Sequence, residues 1–373
     1  MADRFGGKWL YGGCVLLSSV ITLLSPTAAS IHVVVLIMFR VLSGLGEGVM
    51  MPAIQAMISR WLTPKYRSIV ISIIFSGIEV GIVVGMLLSG FLCDYGFAGG
   101  WPSAFYVCGV VGCVWSAAWF VFCYNSPYTH PLISTAERRY WETTIGTTDI
   151  VAHPSTPWRQ IFTSVPVWAV AVAHFANSWG FYAMATCLPL YMHDVFGIDM
   201  TENGELSAVP FVVSAVMVPV TGLFVDLIRS SERLSTNVVR KIFCFAGFIV
   251  SGCFFLIMGH IGCNRALAVA IVCAAMAFLA VTYPNIVANP QDLAPLHAGK
   301  IIGLTSAVAS LAAITAPIAV STLTYQQSTG SGWQNMFYLT AAVYVVGAVV
   351  FVTIGSGDRQ SWADDTVPVV VVA

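Results

Sequence analysis

Apolar residues occur in long runs along this chain, and short polar segments separate one run from the next. A helix that crosses the hydrocarbon core of a bilayer needs about 20 predominantly apolar residues. The pattern predicts ten such helices, with approximate bounds at residues 9–29, 32–58, 68–92, 101–124, 162–191, 204–228, 239–260, 265–288, 300–324 and 334–355. We therefore expect an all-α protein that crosses a membrane many times.

One polar segment is much longer than the others, and it divides the predicted helices unequally into four before it and six after it. This segment contains prolines and neighbouring charged residues, which are typical of a linker. The predicted organisation is an incomplete four-helix N-terminal bundle (1–124), a cytoplasmic central linker (125–160), a six-helix C-terminal bundle (161–355) and a cytoplasmic tail (356–373).

The composition indicates that the lipid bilayer is the main surrounding of the chain. Hydrophobic residues make up 58% of it and charged residues only 9%, whereas an average soluble domain carries about 25% charged residues. A mean hydropathy of +0.84 leaves too little polar surface to cover a soluble core. The formal net charge of -1 gives no reason to expect a nucleic-acid partner.

The positions of the basic residues predict the orientation. Lysine and arginine near helix ends are retained on the cytoplasmic side. If the N-terminus is cytoplasmic, fourteen of the sixteen basic residues lie in cytoplasmic loops. The exceptions are Arg265, in a short outer turn, and Arg40, inside a membrane segment. Both termini are therefore predicted to be cytoplasmic.

Two segments near the N-terminus carry a family resemblance. Residues Met1 to Lys8 (MADRFGGK) resemble the signature loop between the second and third helices of major facilitators. Residues 40–53 (RVLSGLGEGVMMPA), followed by residues 61–68 (WLTPKYRS), resemble the fourth helix and following loop of the anion:cation symporter family. That family includes sialin, the vesicular glutamate transporters and the sodium-phosphate type transporters.

The resemblance extends over nearly the whole chain, and the segments around Asn177 and residues 261–270 are more similar to sialin than to the glutamate carriers. It implies the major facilitator fold, in which two six-helix halves enclose a substrate site near the midplane of the membrane. About ten of the usual twelve helices are predicted here, so the first two are expected to be missing from an N-terminally truncated chain.

Arg40 and Glu47 are the main candidate site residues. They are seven positions apart, which places them on one face of a helix, about 10 Å apart along its axis. A central arginine costs roughly 2.5–3.5 kcal/mol to insert, so it should face a cavity and meet an anion. The resemblance implies that Arg40 binds the substrate carboxylate and that Glu47 takes the driving proton. The alternative is a structural ion pair with another helix.

Glu79, in the next predicted helix, is a second candidate for proton coupling. An unpaired carboxylate within a membrane is expected to be protonated or matched to a cation. By the resemblance, relatives generally carry an uncharged residue here, so Glu79 is either a second proton site or a partner that holds Arg40. Ser43 departs in the opposite direction, because sialin-like members place a second carboxylate there, and the proton stoichiometry is therefore open.

In the second half, His174 and Asn177 lie three residues apart on one helix face and would close the cavity opposite Arg40. Tyr182 lies farther round the same helix and is a further candidate for substrate binding. His174 has an equally good alternative, a histidine that only bonds a neighbouring carbonyl. Asp292 is interpreted as a cytoplasmic gate or cap. The resemblance also assigns conformational gating to the signature loop, through Asp3, Arg4, Gly6, Gly7 and Lys8.

The predicted function is secondary active transport of a small organic anion, either an acidic sugar such as sialic acid or a glutamate-like acid. Coupling to a cation by proton symport is expected, although sodium is not excluded. The alternatives are a sodium-dependent phosphate or anion cotransporter, an anion channel and a truncated product that does not transport. The sequence leaves open a lysosomal, vesicular or plasma membrane.

Motifs for catalysis are missing from the sequence. It has no glycine-rich nucleotide loop with Lys-Ser/Thr, no paired His-Glu zinc motif and no local Ser, His and Asp signature. We therefore expect no enzyme activity, no cofactor and no bound metal beyond the coupling ion.

Overall fold

The computed structural model describes residues 6–61, 67–127, 156–197, 200–231, 233–261, 264–324 and 331–363, together with several positions between 130 and 139. All regular secondary structure within these ranges is helical. Of the predicted gating residues, Asp3 and Arg4 lie outside the described residues.

The described helices follow the apolar runs of the sequence closely. They are α1 Gly7–Ile31, α2 Val33–Glu47, α3 Met50–Trp61, α4 Arg67–Tyr95, α5 Trp101–Phe122, α6 Trp158–Thr163, α7 Val165–Phe196, α8 Met200–Ser230, α9 Thr236–Met258, α10 Arg265–Leu293, α11 Ala298–Thr324 and α12 Ser331–Ile354. Two short 3₁₀ turns, Pro295–His297 and Ser361–Ala363, follow α10 and α12.

Nine segments within the described ranges are long and apolar enough to cross a membrane, and α2 and α3 together form one of them. The nine do not include α7, although a span was predicted at residues 162–191. This region begins as the separate helix α6, and α7 starts beyond Ser164 with a proline in its first turn, where proline is well tolerated. More than half of α7 is buried, and its polar residues His174, Asn177 and Ser178 are among the buried ones.

The predicted span at residues 32–58 is interrupted by a turn at Gly48 and Val49. Pro52 lies in the first turn of α3 and has no N–H to donate to the carbonyl four residues earlier. Just before it, Val49 N donates to Gly46 O, three residues earlier, at 3.2 Å, and this bond tightens the last turn of α2. The break places Glu47 at the end of α2, next to this turn.

The core of the second half surrounds α7, which packs against α10, α11 and α12. Gly180 allows the close approach of α12, because a Cβ atom there would overlap the Tyr344 hydroxyl. Tyr344 and Phe248 are both fully buried, and their ring centroids lie 5.6 Å apart. This packing fixes the face of α7 that carries His174 and Asn177.

The helices before the central linker (α1–α5) form a first group, and those after it (α6–α12) form a second group. The two groups meet along α4 and α8, which run antiparallel. Ser68 and Glu79 of α4 contact Asp226 and Ser214 of α8, respectively. Gly222 of α8 brings the helices close, because a Cβ atom there would lie 2.8 Å from Ser68 O. The face between these two helices therefore carries polar groups at two depths.

The described part of the signature loop packs against the helices of the first group. Gly6 has φ +80°, a conformation that glycine adopts without strain. A Cβ on Gly7 would lie 2.9 Å from Ala53 O, so α1 and α3 touch at this point. Lys8 N donates to Asn125 Oδ1 at 2.8 Å, and the Lys8 Nζ lies 4.5 Å from the Tyr124 ring centroid.

Candidate substrate cavity and charged residues

A cavity of about 150 Å³ lies where α4 and α3 face the second group of helices. Its described lining mixes aromatic and aliphatic side chains with hydroxyl, amide, carboxyl and imidazole groups. The lining residues are Met51, Phe75, Ile78, Glu79, His174, Asn177, Ser178, Phe181, Tyr182, Ser214, Met276, Leu279, Ala280, Tyr283, Ser306, Ala309 and Ser310. A mainly apolar pocket with a few converging polar groups is the usual form of a small-molecule site.

All three predicted substrate residues of α7 line this cavity. Asn177 is 5% exposed and donates to Thr282 Oγ1 at 2.6 Å, so a neighbouring helix fixes its amide. The His174 Nδ1 lies 3.4 Å from the Thr305 hydroxyl rather than against a carbonyl. Tyr182 is half-buried on the same wall.

Glu79 lies in the same cavity and is 8% exposed. Its Oε1 accepts a hydrogen bond from Ser214 Oγ at 2.9 Å. Its Oε2 is buried and has no hydrogen-bond partner among the described residues. Glu79 and Arg40 form no ion pair within the described part of the chain, because Glu79 faces α8 and the Arg40 guanidinium lies over the Phe105 ring of α5.

Arg40 is exposed on α2, and its Cζ lies 5.2 Å from the Phe105 ring centroid. An arginine over an aromatic face gains a cation–π attraction of about 0.5–1 kcal/mol at an exposed site. Arg40 is not among the described residues that line the cavity. The structure therefore does not bring Arg40 together with His174 and Asn177.

Glu47 forms a hydroxyl–carboxylate cluster with two serines. Its Oε1 accepts from Ser43 Oγ at 2.8 Å and from Ser18 Oγ at 2.5 Å, and the two hydroxyls lie 2.9 Å apart. A hydroxyl both donates and accepts, so the same serines can bond an ionised or a protonated carboxyl. Glu47 is also close enough to Tyr182 to interact with it electrostatically.

Sequence reasoning gave Ser18 no role, although it is one of the two serines that hold Glu47. Its position 29 residues before Glu47 has no local signature, because only the packing of α1 on α2 makes them neighbours. The sequence drew attention to Ser43 only because sialin-like members carry a carboxylate at this position. It lies one helical turn before Glu47, a spacing at which two side chains meet.

At the predicted cytoplasmic end, charged side chains connect α8, α9 and α10. Arg240 is fully buried, and its Nη2 lies 2.9 Å from Asp292 Oδ2. Its Nη1 donates to Asn285 Oδ1 at 3.2 Å. The Arg229 Nη2 lies 3.7 Å from Asp292 Oδ1 on the other side of the carboxylate. Asp292 therefore lies between two guanidinium groups.

Asp226 caps the first turn of α4 from across the interface between the two groups of helices. Its carboxylate accepts from Ile69 N at 2.8 Å and from Ser68 N at 3.3 Å. The first N–H groups of a helix lack partners within the helix and carry partial positive charge, so an acid is stabilising there. Sequence reasoning missed this role, because α4 and α8 are far apart in the chain.

A second polar contact closes the same end between α3 and α10. Gln55 is fully buried and donates to Val287 O at 3.1 Å, and it accepts from Gln291 Nε2 at 2.8 Å. Gly299 of α11 lies against Pro52 of α3, because a Cβ atom there would lie 3.1 Å from Pro52 O. Side chains of both groups of helices thus meet beneath the cavity.

Comparisons with known proteins, by sequence and by structure, agree with the predicted major facilitator fold. Residues 1–317 match the Major Facilitator Superfamily. A bacterial homologue of the human lysosomal transporter Spinster, solved in an inward-facing and unoccupied conformation, superposes with a TM-score of 0.60 at 15% identity. The match covers 94% of this chain and 83% of that protein. At this identity the likeness shows the fold alone, and it confirms the predicted major facilitator architecture.

Vesicular glutamate transporter 3 of Danio rerio is 36% identical over 368 residues, which are 98% of this chain and 62% of that protein. Human vesicular glutamate transporter 2 gives the same identity and coverage. Human sialin is 36% identical over 363 residues, which are 97% of this chain and 72% of sialin. The chain thus spans less than two thirds of the length of these glutamate transporters. It is a multi-pass membrane protein of the major facilitator superfamily and belongs to the anion transporter family that includes the vesicular glutamate transporters and sialin.

Proposed function

We propose that this chain carries the machinery of a proton-coupled symporter for a small organic anion, with Arg40 binding the substrate carboxylate and Glu47 carrying the coupling proton. The candidate substrates are acidic sugars such as sialic acid and glutamate-like amino acids, as the names of the relatives suggest. A vesicular or lysosomal membrane is the proposed location for the same reason.

The Glu47 cluster is the observation that carries this proposal. Glu47 shares α2 with the membrane-embedded Arg40, and two hydroxyls bond its carboxyl oxygen. Ionisable residues inside a membrane are costly and generally mark substrate or proton pathways. Because serine hydroxyls can reverse their hydrogen bonds, Glu47 can gain and lose a proton without leaving a polar group unsatisfied.

Transport by alternating access is favoured over an anion channel by the contacts beneath the cavity. A channel needs a continuous path for its ion. Here Asp226 binds the first turn of α4, and Gln55 binds Gln291 across the same interface. These contacts join the two groups of helices at the predicted cytoplasmic end. Arg40 lies outside the described cavity lining, so rocking of the two halves would have to bring it to the substrate.

Replacing Glu47 with glutamine tests the proposal. In proteoliposomes with labelled sialic acid, glucuronate or glutamate, a gradient of one pH unit supplies about 1.4 kcal/mol. One-to-one symport of a monovalent anion can therefore accumulate its substrate about tenfold. We expect the parent chain to approach this ratio. We expect Glu47→Gln to reach only the external concentration.

Exchange of labelled for unlabelled substrate is the matched readout, because it needs binding and rocking but no net proton movement. Glu47→Gln should retain this exchange, whereas a misfolded variant would lose it. Gradient-driven accumulation that survives in Glu47→Gln would remove Glu47 from the coupling step. Uptake that neither saturates nor depends on the gradient would favour a channel.

A further inference from the structure

Glu79 is a buried acid whose bonding is incomplete. One carboxyl oxygen accepts from Ser214, and the other is buried without a hydrogen-bond partner among the described residues. The side chain lines the cavity and is more than nine-tenths buried. A buried carboxylate without a compensating charge is strongly unfavourable, so a cation from outside the protein is expected to complete this site.

The described residues supply little positive charge to this cavity. Its described lining includes no lysine or arginine, and His174 is its one basic residue. Arg40 lies against Phe105 on another helix. Since the described residues place no other cation against Glu79, its matching charge would arrive as a proton, a metal ion or a cationic group on a ligand.

The size and walls of the cavity favour an organic cation. A single water needs roughly 10–15 Å³ of such space, so a cavity of about 150 Å³ has room for a small organic molecule. Phe75 and Tyr283 line it as an edge-to-face pair with centroids 5.9 Å apart. Aromatic rings attract ammonium groups as well as guanidinium groups.

A second unsatisfied group in the same cavity indicates what else the ligand carries. The Ser306 hydroxyl of α11 lines the cavity, is buried and has no hydrogen-bond partner among the described residues. A hydroxyl can donate to an acceptor such as a carboxylate oxygen. One wall therefore presents a carboxylate and another presents a hydroxyl donor, which matches a molecule with an ammonium group and a carboxylate.

We propose that Glu79 binds the ammonium group of an amino-acid substrate and selects amine-bearing acids over otherwise identical acids without the amine. This inference rests on the proposed function, because it assumes that the cavity takes up the transported anion. It assigns to Glu79 a role in specificity rather than in proton coupling.

A pair of acids that differ only in the amine tests this assignment. Uptake of labelled L-glutamate and of labelled glutarate is measured in proteoliposomes for the parent chain and for Glu79→Gln. Removing one partner of a charge pair is expected to raise the half-saturating glutamate concentration at least about 30-fold. The value for glutarate should change by less than about threefold, because no interaction with it is lost.

Ser76→Ala is the matched control, since Ser76 is half-buried on the same helix, does not line the cavity and bonds Ile73 O within the described structure. It should leave the values for both acids unchanged. Equal losses for glutamate and glutarate in Glu79→Gln would overturn the proposal in favour of a proton site. A loss of sodium-induced thermal stabilisation in Glu79→Gln, with no effect of glutamate on the parent, would overturn it in favour of a metal-ion site.

Thermal stabilisation of the purified chain by each acid separates this inference from the proposed function. If the parent transports neither acid but glutamate stabilises it more than glutarate, and Glu79→Gln abolishes that difference, amine recognition stands and symport fails. If the parent transports glutarate as well as glutamate with equal half-saturation, symport stands and amine recognition fails. Absence of both transport and stabilisation contradicts both proposals.

Discussion

Replacing Arg240 with alanine is expected to lower the free energy of unfolding by about 3–5 kcal/mol, the usual cost of removing one partner of a buried ion pair. Arg240 is fully buried, and its guanidinium bonds Asp292 through Nε at 3.1 Å and through Nη2 at 2.9 Å. The same group donates to Asn285. Thermal unfolding of the purified chain in detergent measures the loss.

Arg229→Ala is the matched control for Arg240→Ala. Arg229 also faces Asp292 at 3.7 Å and Asp226 at 4.0 Å, but its side chain is 19% exposed and both contacts are longer than those of Arg240. It should therefore cost only about 1 kcal/mol, as more exposed pairs do. A double-mutant cycle with Asp292→Ala should show a coupling energy of about 1–3 kcal/mol between Arg240 and Asp292. Additive losses in this cycle would mean that the two side chains do not stabilise each other.

Replacing Arg40 with alanine is expected to raise the half-saturating concentration for every transported anion at least about 30-fold, because truncating a bonded charge pair costs about 2–5 kcal/mol. Arg40→Lys should fall between the parent and Arg40→Ala, since lysine keeps the charge but lacks the planar fork that bonds a carboxylate at two points. Concentration-dependent uptake in proteoliposomes measures the three values.

Val41→Ala provides the control for Arg40→Ala, because Val41 is the next residue on α2 and its side chain is exposed. It should leave half-saturation unchanged and show that a truncation on this helix is tolerated. Gel filtration and thermal unfolding confirm that each variant is folded. If Arg40→Ala saturates at the parent concentration, Arg40 has a structural role with Phe105 and does not bind the anion.

The sequence predicts most of the membrane helices, because each one needs an apolar run of about 20 residues and such runs are easily recognised in a sequence. The exceptions have local causes. Pro52 and the neighbouring glycines divide one predicted span into α2 and α3. Helix α7 carries several buried polar residues, among them His174 and Asn177, so it is less apolar than the nine segments that could cross a membrane.

The candidate site is predicted less completely, because its contacts join distant parts of the chain. Spacing alone places His174 near Asn177, and the two do line one cavity. The sequence could not show that Glu79 bonds Ser214 or that Ser18 reaches Glu47, because these contacts depend on how the helices pack. Nor did the sequence show that Arg40 lies outside the cavity lined by Glu79, His174, Asn177 and Tyr182.

The buried contacts at the predicted cytoplasmic end extend the role that the sequence suggested for Asp292 alone. Asp292 bonds Arg240, and Asp226 holds the first turn of α4 from the opposite group of helices. Opening of this end would require Asp226 to release two backbone N–H groups. If the proposed alternating access is correct, this network would have to break each time the cytoplasmic end opens.

The most direct test of coupling between Glu47 and the anion is a measurement of proton entry driven by the anion itself. Proteoliposomes that contain a pH-sensitive dye receive unlabelled substrate on the outside only. The pH is equal on both sides, and the membrane potential is clamped. The parent chain should acidify the interior as the anion enters, and Glu47→Gln should not. Anion entry into parent vesicles without any acidification would contradict proton symport.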